Sequence, residues 1–165
     1  KQAKPMQRKP LSPEMALSRL ATLCARAERC RSELEQKLRL WGIGAADSER
    51  ILSRLEKERY FDDRRFAAAF TRDKALYSHW GRRKIEAALR LKRIEPADIA
   101  AASDELDEDE YRAAMLEALA TKARSVKEGD TYEGRTKLYR FGLSRGYEPA
   151  LLAAAIRAHL PFIRP

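Results

Sequence analysis

The sequence predicts an all-α chain: a tandem array of three three-helix, helix-turn-helix-like repeats stacked into an elongated, slightly curved rod. Three observations predict it. Across 165 residues Ala, Leu, Glu, Lys and Arg dominate, while 8% are aromatic and seven are glycine, a balance that favours helix over strand. The window from Gly81 to Ala102 and that from Gly134 to Ala155, set side by side without a gap, share nine of 22 residues; four of the nine are alanines, which an Ala-rich chain repeats cheaply. The same spacing returns in degraded form from Cys30 to Leu52, through Leu34, Leu38 and Gly42-Ile43 to a helix start at Asp47-Ser48-Glu49. A period of about 50 residues repeated in this way marks supersecondary units that complete one another's cores by stacking.

The boundaries follow from this period: a basic, disordered arm over residues 1–12, repeats over 13–60, 61–104 and 105–160, and a tail over 161–165. The arm has four basic residues and no acid, so it buries no core. Ser12-Pro13-Glu14 then starts a helix, with a capping hydroxyl, Pro at the first helical position and an acid at the positive end of the dipole. Leu17, Leu20, Leu23, Cys24 and Ala27 follow at helical spacing. Ser32-x-x-Glu35 has the form of a capping box and opens a helix carrying Leu34, Leu38 and Trp41 on one face. Gly42-Ile43-Gly44 ends it, and Asp47-Ser48-Glu49 opens a third with Ile51, Leu52 and Leu55 inward.

Asp62 is an N-cap candidate for the next helix, and Asp63 suits its positive end. Capping accounts for this carboxylate pair without catalysis, since no third ligand lies near. Phe66, Phe70 and Tyr77 carry the buried face. The helix opened by Gly81 follows, and Glu95-Pro96-Ala97 starts another. Asp107 and Glu110 form a cap-like pair inside an acidic run, ahead of a long helix marked by Tyr111, Met115, Leu119 and Val126. Lys127-Glu128-Gly129-Asp130 reads as a turn. The last repeat runs through Gly134 and Glu148-Pro149-Ala150.

The net charge of +9 favours an acidic partner, nucleic acid above all, and its distribution is uneven. From Arg82 to Arg93 there are six basic residues and one acid, Glu86. On a wheel of 100° per residue, Arg82, Arg83, Arg90 and Arg93 fall within an arc of roughly 100°; Ile85, Ala88 and Leu89 are expected on the opposite side. The last repeat adds Arg135, Lys137 and Arg140, less segregated, with no acid between Gly134 and Tyr147. These seven are the candidate filament- or DNA-binding residues. A solvated surface is the plainer reading of the same charges.

Catalytic chemistry finds no foothold. There is no Gly-rich phosphate loop, no G-x-S-x-G, no H-E-x-x-H and no Cys beside a His base. Cys24 and Cys30 have no C-x-x-C spacing and His79 and His159 lie far from both, so neither zinc nor another cofactor is expected. No apolar run approaches a membrane span. Few cysteines and no apolar leader segment at the start fit the cytoplasm.

Four groups of residues, spread over roughly residues 14 to 160, resemble one family. They are Ser32, Leu34, Lys37 and Leu38 followed by Gly42-Ile43; Tyr60-Phe61-Asp62-Asp63 with Phe66-Ala67; Gly81, Ile85 and Leu89; and Lys137-Leu138, Phe141 and Arg145-Gly146-Tyr147. In this order and spacing the chain resembles RecX, the bacterial regulators of the recombinase RecA. A monomer without cofactor is expected, and the resemblance implies three tandem three-helix repeats and no catalytic residues. It implies binding in the groove of the RecA–single-stranded DNA filament, restraint of strand exchange, ATP hydrolysis and coprotease activity in recombinational repair and the SOS response, and weak DNA binding without sequence preference. Arg59 and Arg93 stand where the family usually has glycine, and Gly at such a C′ position relieves left-handed strain of about 1 kcal/mol. The competing classes are a sequence-specific helix-turn-helix regulator, for which Leu34 to Leu55 with Gly42 at the turn could pass, and a bare protein–protein scaffold. Against the regulator stand the acids Glu49 and Glu56 in its second helix.

Overall fold

Caps and prolines set the helix boundaries. The computed structural model describes residues 10–162, so the arm falls outside the described residues for positions 1–9 and the tail for 163–165. Among the described residues there are nine α-helices and no strand: α1 Pro13–Arg26, α2 Arg31–Leu40, α3 Ala45–Lys57, α4 Asp63–Leu76, α5 Arg82–Leu91, α6 Pro96–Asp104, α7 Glu108–Ala123, α8 Tyr132–Ser144 and α9 Pro149–Arg157, closed by a 3-10 turn at Leu160–Phe162.

Ser12 Oγ accepts the Met15 N–H at 3.2 Å, Asp62 Oδ1 the Arg65 N–H at 3.0 Å, and Asp107 Oδ1 the Glu110 N–H at 2.9 Å. Each such cap satisfies an N–H that the helix itself leaves unpaired. Pro13, Pro96 and Pro149 occupy first-turn positions of α1, α6 and α9, where a missing N–H costs nothing.

Three expected starts shift. Helix α2 begins at Arg31 with Cys30 as N-cap, so Ser32 lies inside the first turn and the Ser32–Glu35 box does not form. The Arg31 N–H is instead taken at 2.8 Å by Asp63 Oδ1. Helix α3 begins at Ala45 behind Gly44 rather than at Asp47. Helix α8 begins at Tyr132, capped by Thr131, whose Oγ1 accepts the Gly134 N–H at 3.1 Å; Gly134 therefore sits within the first turn, whereas Gly81 is the N-cap of α5. Tyr77 also departs from expectation. It follows the last residue of α4 and is 77% exposed, and Phe70 is half-buried; Phe66 is buried as expected, together with Ala67, Thr71 and Ala75. Val126 lies beyond the end of α7.

The middle helix of each triple closes in the same way. Gly42, Arg93 and Gly146 follow α2, α5 and α8 with φ of 74°, 58° and 91°, each leading into a buried residue, Ile43, Ile94 or Tyr147. Arg59 closes α3 at φ 59°. Both arginine-for-glycine departures therefore keep the left-handed turn and bear its strain.

The described residues form two compact units that divide between Phe66 and Ala67. In the first, Ala16 and Leu20 of α1, Leu34 and Leu38 of α2, Ile51, Leu52 and Leu55 of α3, with Ile43 and Phe61, make one core. Each large aliphatic so buried contributes about 1.5–3 kcal/mol. In the second, Ile85 and Leu89 of α5, Ile99 of α6, Tyr111, Met115 and Leu119 of α7, Leu138 of α8 and Leu152 and Ile156 of α9 are buried with Tyr147. There α7 packs on α8 and on the C-terminal turn, and α8 on α9.

Candidate anion-binding surface

Helix α5 opens with three cations, Arg82, Arg83 and Lys84, and no acid in its first turn. That arrangement opposes the helix dipole, so each charge needs its own account. Arg82 has one. Its side chain is 19% exposed and pairs with Glu108 Oε2 at 2.9 Å and Glu148 Oε1 at 3.5 Å. Its guanidinium lies 4.1 Å from the centre of the Tyr111 ring. Its backbone N–H donates to the Tyr111 hydroxyl at 3.0 Å, which donates to Glu148 Oε2 at 2.7 Å. These contacts push the Arg82 guanidinium up against the opposing effect of burial, while hydrogen bonds from Arg112 and Arg82 pull Glu108 down.

Arg82 thus stands on the buried side of α5. The wheel carries the reason: Leu89 lies only about 20° from Arg82 at 100° per residue, so the assignment of Leu89 to the side opposite Arg82 is corrected. The position recurs. Arg31, first in α2, pairs with Glu35, Glu49 and Glu56 at 3.2, 2.8 and 3.2 Å, and Arg135 of α8 pairs with Asp130 at 2.6 Å and meets His159 Nδ1 at 2.8 Å. Arg31, Arg82 and Arg135 hold corresponding places in the three triples, and each ties its helix to neighbouring acids.

Glycine makes the joint around Arg82 possible. A Cβ on Gly81 would stand 2.1 Å from the carbonyl carbon of Gly146, and one on Gly146 would stand 2.4 Å from Lys84 Cβ. The Gly81 N–H donates to the Arg145 carbonyl at 2.8 Å and the Arg83 N–H to the Gly146 carbonyl at 3.1 Å. The Arg145 guanidinium returns to the carbonyls of His79, at 3.1 Å, and Ser78.

The outward face of α5 is Arg83, Ala87, Arg90 and Leu91, all exposed, Leu91 by 87%. Arg90 meets Glu86 at 3.6 Å with its side chain 69% exposed, a surface pair of about 0.3–0.5 kcal/mol. Arg93 is exposed beyond the helix end, in the left-handed turn. In the last triple Lys137 pairs with Glu128 and, at 3.6 Å, with Glu133, while Arg140 is exposed.

Lys84 and Lys92 of the α5 segment, outside the seven candidates, form a second group with Lys74 of α4. Lys84 Nζ lies 4.4 Å and Lys74 Nζ 4.7 Å from the centre of the Trp80 ring. Lys92 Nζ lies 5.9 Å from that of Phe70, which meets Trp80 edge-on at 6.3 Å. Cation–π contacts of this kind hold ammonium groups against the ring faces. The signal in the sequence was Trp80 with lysines four residues after and six before it. Among the described residues no group of three or more His, Cys, Asp or Glu could hold a metal ion, and no helix is long and apolar enough to cross a membrane.

Two family models match this chain: the first three-helix domain of RecX over residues 16–55 and the second over residues 62–102. A regulatory protein RecX of Herminiimonas arsenicoxydans is 30% identical over 131 residues, covering 79% of this chain and 83% of the relative. One from Clostridium botulinum (strain Eklund 17B / Type B) is 26% identical over 132 residues, a match spanning 79% of this chain and 61% of that protein. The crystal structure of RecX from Lactobacillus salivarius superposes with a TM-score of 0.74 at 20% identity, over 92% of this chain and 97% of the other. Another, of a regulatory protein RecX, gives 0.76 at 22% identity over 88% and 71%. Those two likenesses establish the shared fold; with the family models and the Herminiimonas relative, this chain belongs to the RecX family of regulatory proteins.

Proposed function

We propose that this chain is a non-enzymatic regulator that binds the RecA–single-stranded DNA filament and restrains recombination, ATP hydrolysis and coprotease activity. Membership of a family of regulatory proteins supports the reading. The observation that carries it is the outward face of α5. Arg83 and Arg90 lie beside Ala87 and the 87% exposed Leu91, so cations and bare apolar surface adjoin. Phosphate alone asks for the cations. A protein–DNA assembly uses both, since apolar contact drives protein association and cations meet acidic side chains or the DNA backbone. Contacts to phosphate position a protein without reading bases, which suits action on any sequence.

The helix-turn-helix alternative finds less support. In α3, its would-be reading helix, Arg50 pairs with Asp47, Arg54 with Glu58 at 3.0 Å, and Glu49 and Glu56 are taken up by Arg31. The helix offers DNA no net cationic face.

Co-sedimentation tests the proposal. RecA filaments assembled on single-stranded DNA with a slowly hydrolysed ATP analogue should carry the wild-type chain into the pellet. The chain with Arg83→Glu and Arg90→Glu should stay in the supernatant with unchanged helical content. Absence of the wild-type chain from the pellet would overturn the reading.

A further inference from the structure

We infer that the lysines gathered around Trp80 form a docking site for an acidic protein segment, one that offers a carboxylate at every second residue. The site lies where α4 runs into α5. Lys74 of α4 and Lys84, in the first turn of α5, hold their ammoniums 4.7 and 4.4 Å from the centre of the Trp80 ring. Lys74 Nζ also lies 5.5 Å, and Lys92 Nζ 5.9 Å, from the centre of the Phe70 ring. All five side chains belong to half-buried residues. The inference goes beyond the function proposed above and does not rest on it.

A ring holds an ammonium without cancelling its charge, whereas a carboxylate does both. Arg31, Arg82 and Arg135 are of the second kind, each neutralised by acids of its own chain. Lys74 and Lys84 are of the first kind: among the described residues neither forms an ion pair. A lysine on a bare surface loses rotamer entropy when it binds an anion. Here the ring has already restricted both side chains, so an incoming carboxylate meets ordered, uncancelled charge. The support beneath them is built as well. His79, left-handed at φ 53°, precedes Trp80, whose N–H donates to the Lys74 carbonyl at 2.9 Å. The Arg145 guanidinium holds the carbonyls of Ser78 and His79 from the other side. The first turn of α5 contains no acid, so the positive end of its dipole adds to the attraction. The rings decide between peptide and nucleic acid. A strand seeks a bare π-face for its bases, and Trp80 and Phe70 already meet ammoniums and each other. Carboxylates ask only for charge. Those two residues apart on an extended segment stand about 7 Å from each other, which suits two ammoniums that share one ring.

Fluorescence anisotropy of the full chain tests the site, with a short fluorescein-labelled peptide that alternates glutamate and serine. The same peptide with glutamine in place of glutamate is the control. The wild-type chain should bind the first and not the second, and more weakly as salt rises. Lys74→Gln with Lys84→Gln removes two charge-assisted contacts and should weaken binding by roughly tenfold or more. Trp80→Leu leaves every charge in place and should still weaken binding by roughly threefold, because the ring that orders the lysines is gone. Where a variant folds poorly, Trp80 itself gives the answer. The chain has two tryptophans, so Trp41→Phe leaves Trp80 as the one reporter. The glutamate peptide should change its fluorescence by drawing the ammoniums from the ring, and the glutamine peptide should not. A wild-type chain that ignores the glutamate peptide, or binds the glutamine peptide equally well, would overturn the inference. So would unchanged peptide binding in the folded lysine variant. A larger loss of oligo-dT binding than of peptide binding in that variant would assign the cluster to nucleic acid and overturn it too.

Discussion

The Tyr111 hydroxyl accepts the backbone N–H of Arg82 at 3.0 Å, while the Arg82 guanidinium lies 4.1 Å above the same ring. One side chain thus caps the start of α5 and supports its first cation. Tyr111→Phe removes the side-chain acceptor at that N–H and the donor to Glu148, and a buried group left unpaired costs about 1–3 kcal/mol. Tyr147 gives the contrast. It is fully buried, its ring 5.9 Å from that of Tyr111, and its hydroxyl finds no partner among the described residues. Tyr147→Phe should be neutral or stabilise by up to about 1 kcal/mol, because it removes a buried unpaired hydroxyl. Urea midpoints for the two variants should move in opposite directions, or Tyr147→Phe should not move at all.

The same tyrosines set an alkaline limit. Burial pushes the Tyr147 phenol up to about 12 and raises Tyr111 further. The folded state therefore favours the neutral phenols. Their stabilisation is complete below the unfolded value of about 10 and is lost as pH rises from there through the folded values. Stability followed by circular dichroism should be level to about pH 10 and fall from there towards about 12, and Tyr147→Phe should flatten part of that fall.

Gly81 has no room for a side chain, whereas Gly44, also an N-cap, has nothing within 4 Å of an added Cβ. Gly81→Ala should therefore cost about 2–3 kcal/mol, since overpacked backbone must shift. Gly44→Ala should cost only the modest difference between Gly and Ala caps. Thermal melts of the two variants measure the gap.

Arg59, exposed at φ 59°, bears a left-handed strain of about 1–2 kcal/mol for an L residue. Glycine removes it and returns part as unfolded-chain entropy. Arg59→Gly should stabilise the chain by about 0.5 kcal/mol; Arg59→Val, β-branched and ill-suited to positive φ, should lower the urea midpoint.

These outcomes bear on what the sequence made legible. Local signals translated directly: Ser12, Asp62 and Asp107 cap the helices they precede, and prolines open α1, α6 and α9. The repeat was legible too, down to the turns at Gly42, Arg93 and Gly146. What the sequence hid was contact across long separations. Asp63 caps α2 from 32 residues away, which no local box reveals. The acids that neutralise Arg82 lie 26 and 66 residues on, so its charge looked like part of an outward face. Lys84 and Lys92 count among the six cations from Arg82 to Arg93, but the rings they meet, Trp80 and Phe70, lie on the turn before α5 and on α4, which charge counting does not reveal.

The central claim meets its most direct test in the ATPase rate of the matching RecA on single-stranded DNA, with this protein at ratios well below one per protomer. Arg82→Glu suits the purpose poorly, since it would set a carboxylate beside Glu108 and Glu148. Arg83→Glu with Arg90→Glu alters the outward face alone. The account predicts suppression by the wild-type chain and at least tenfold weaker suppression by that folded double variant. An ATPase rate unchanged by the folded wild-type chain at every ratio would contradict it.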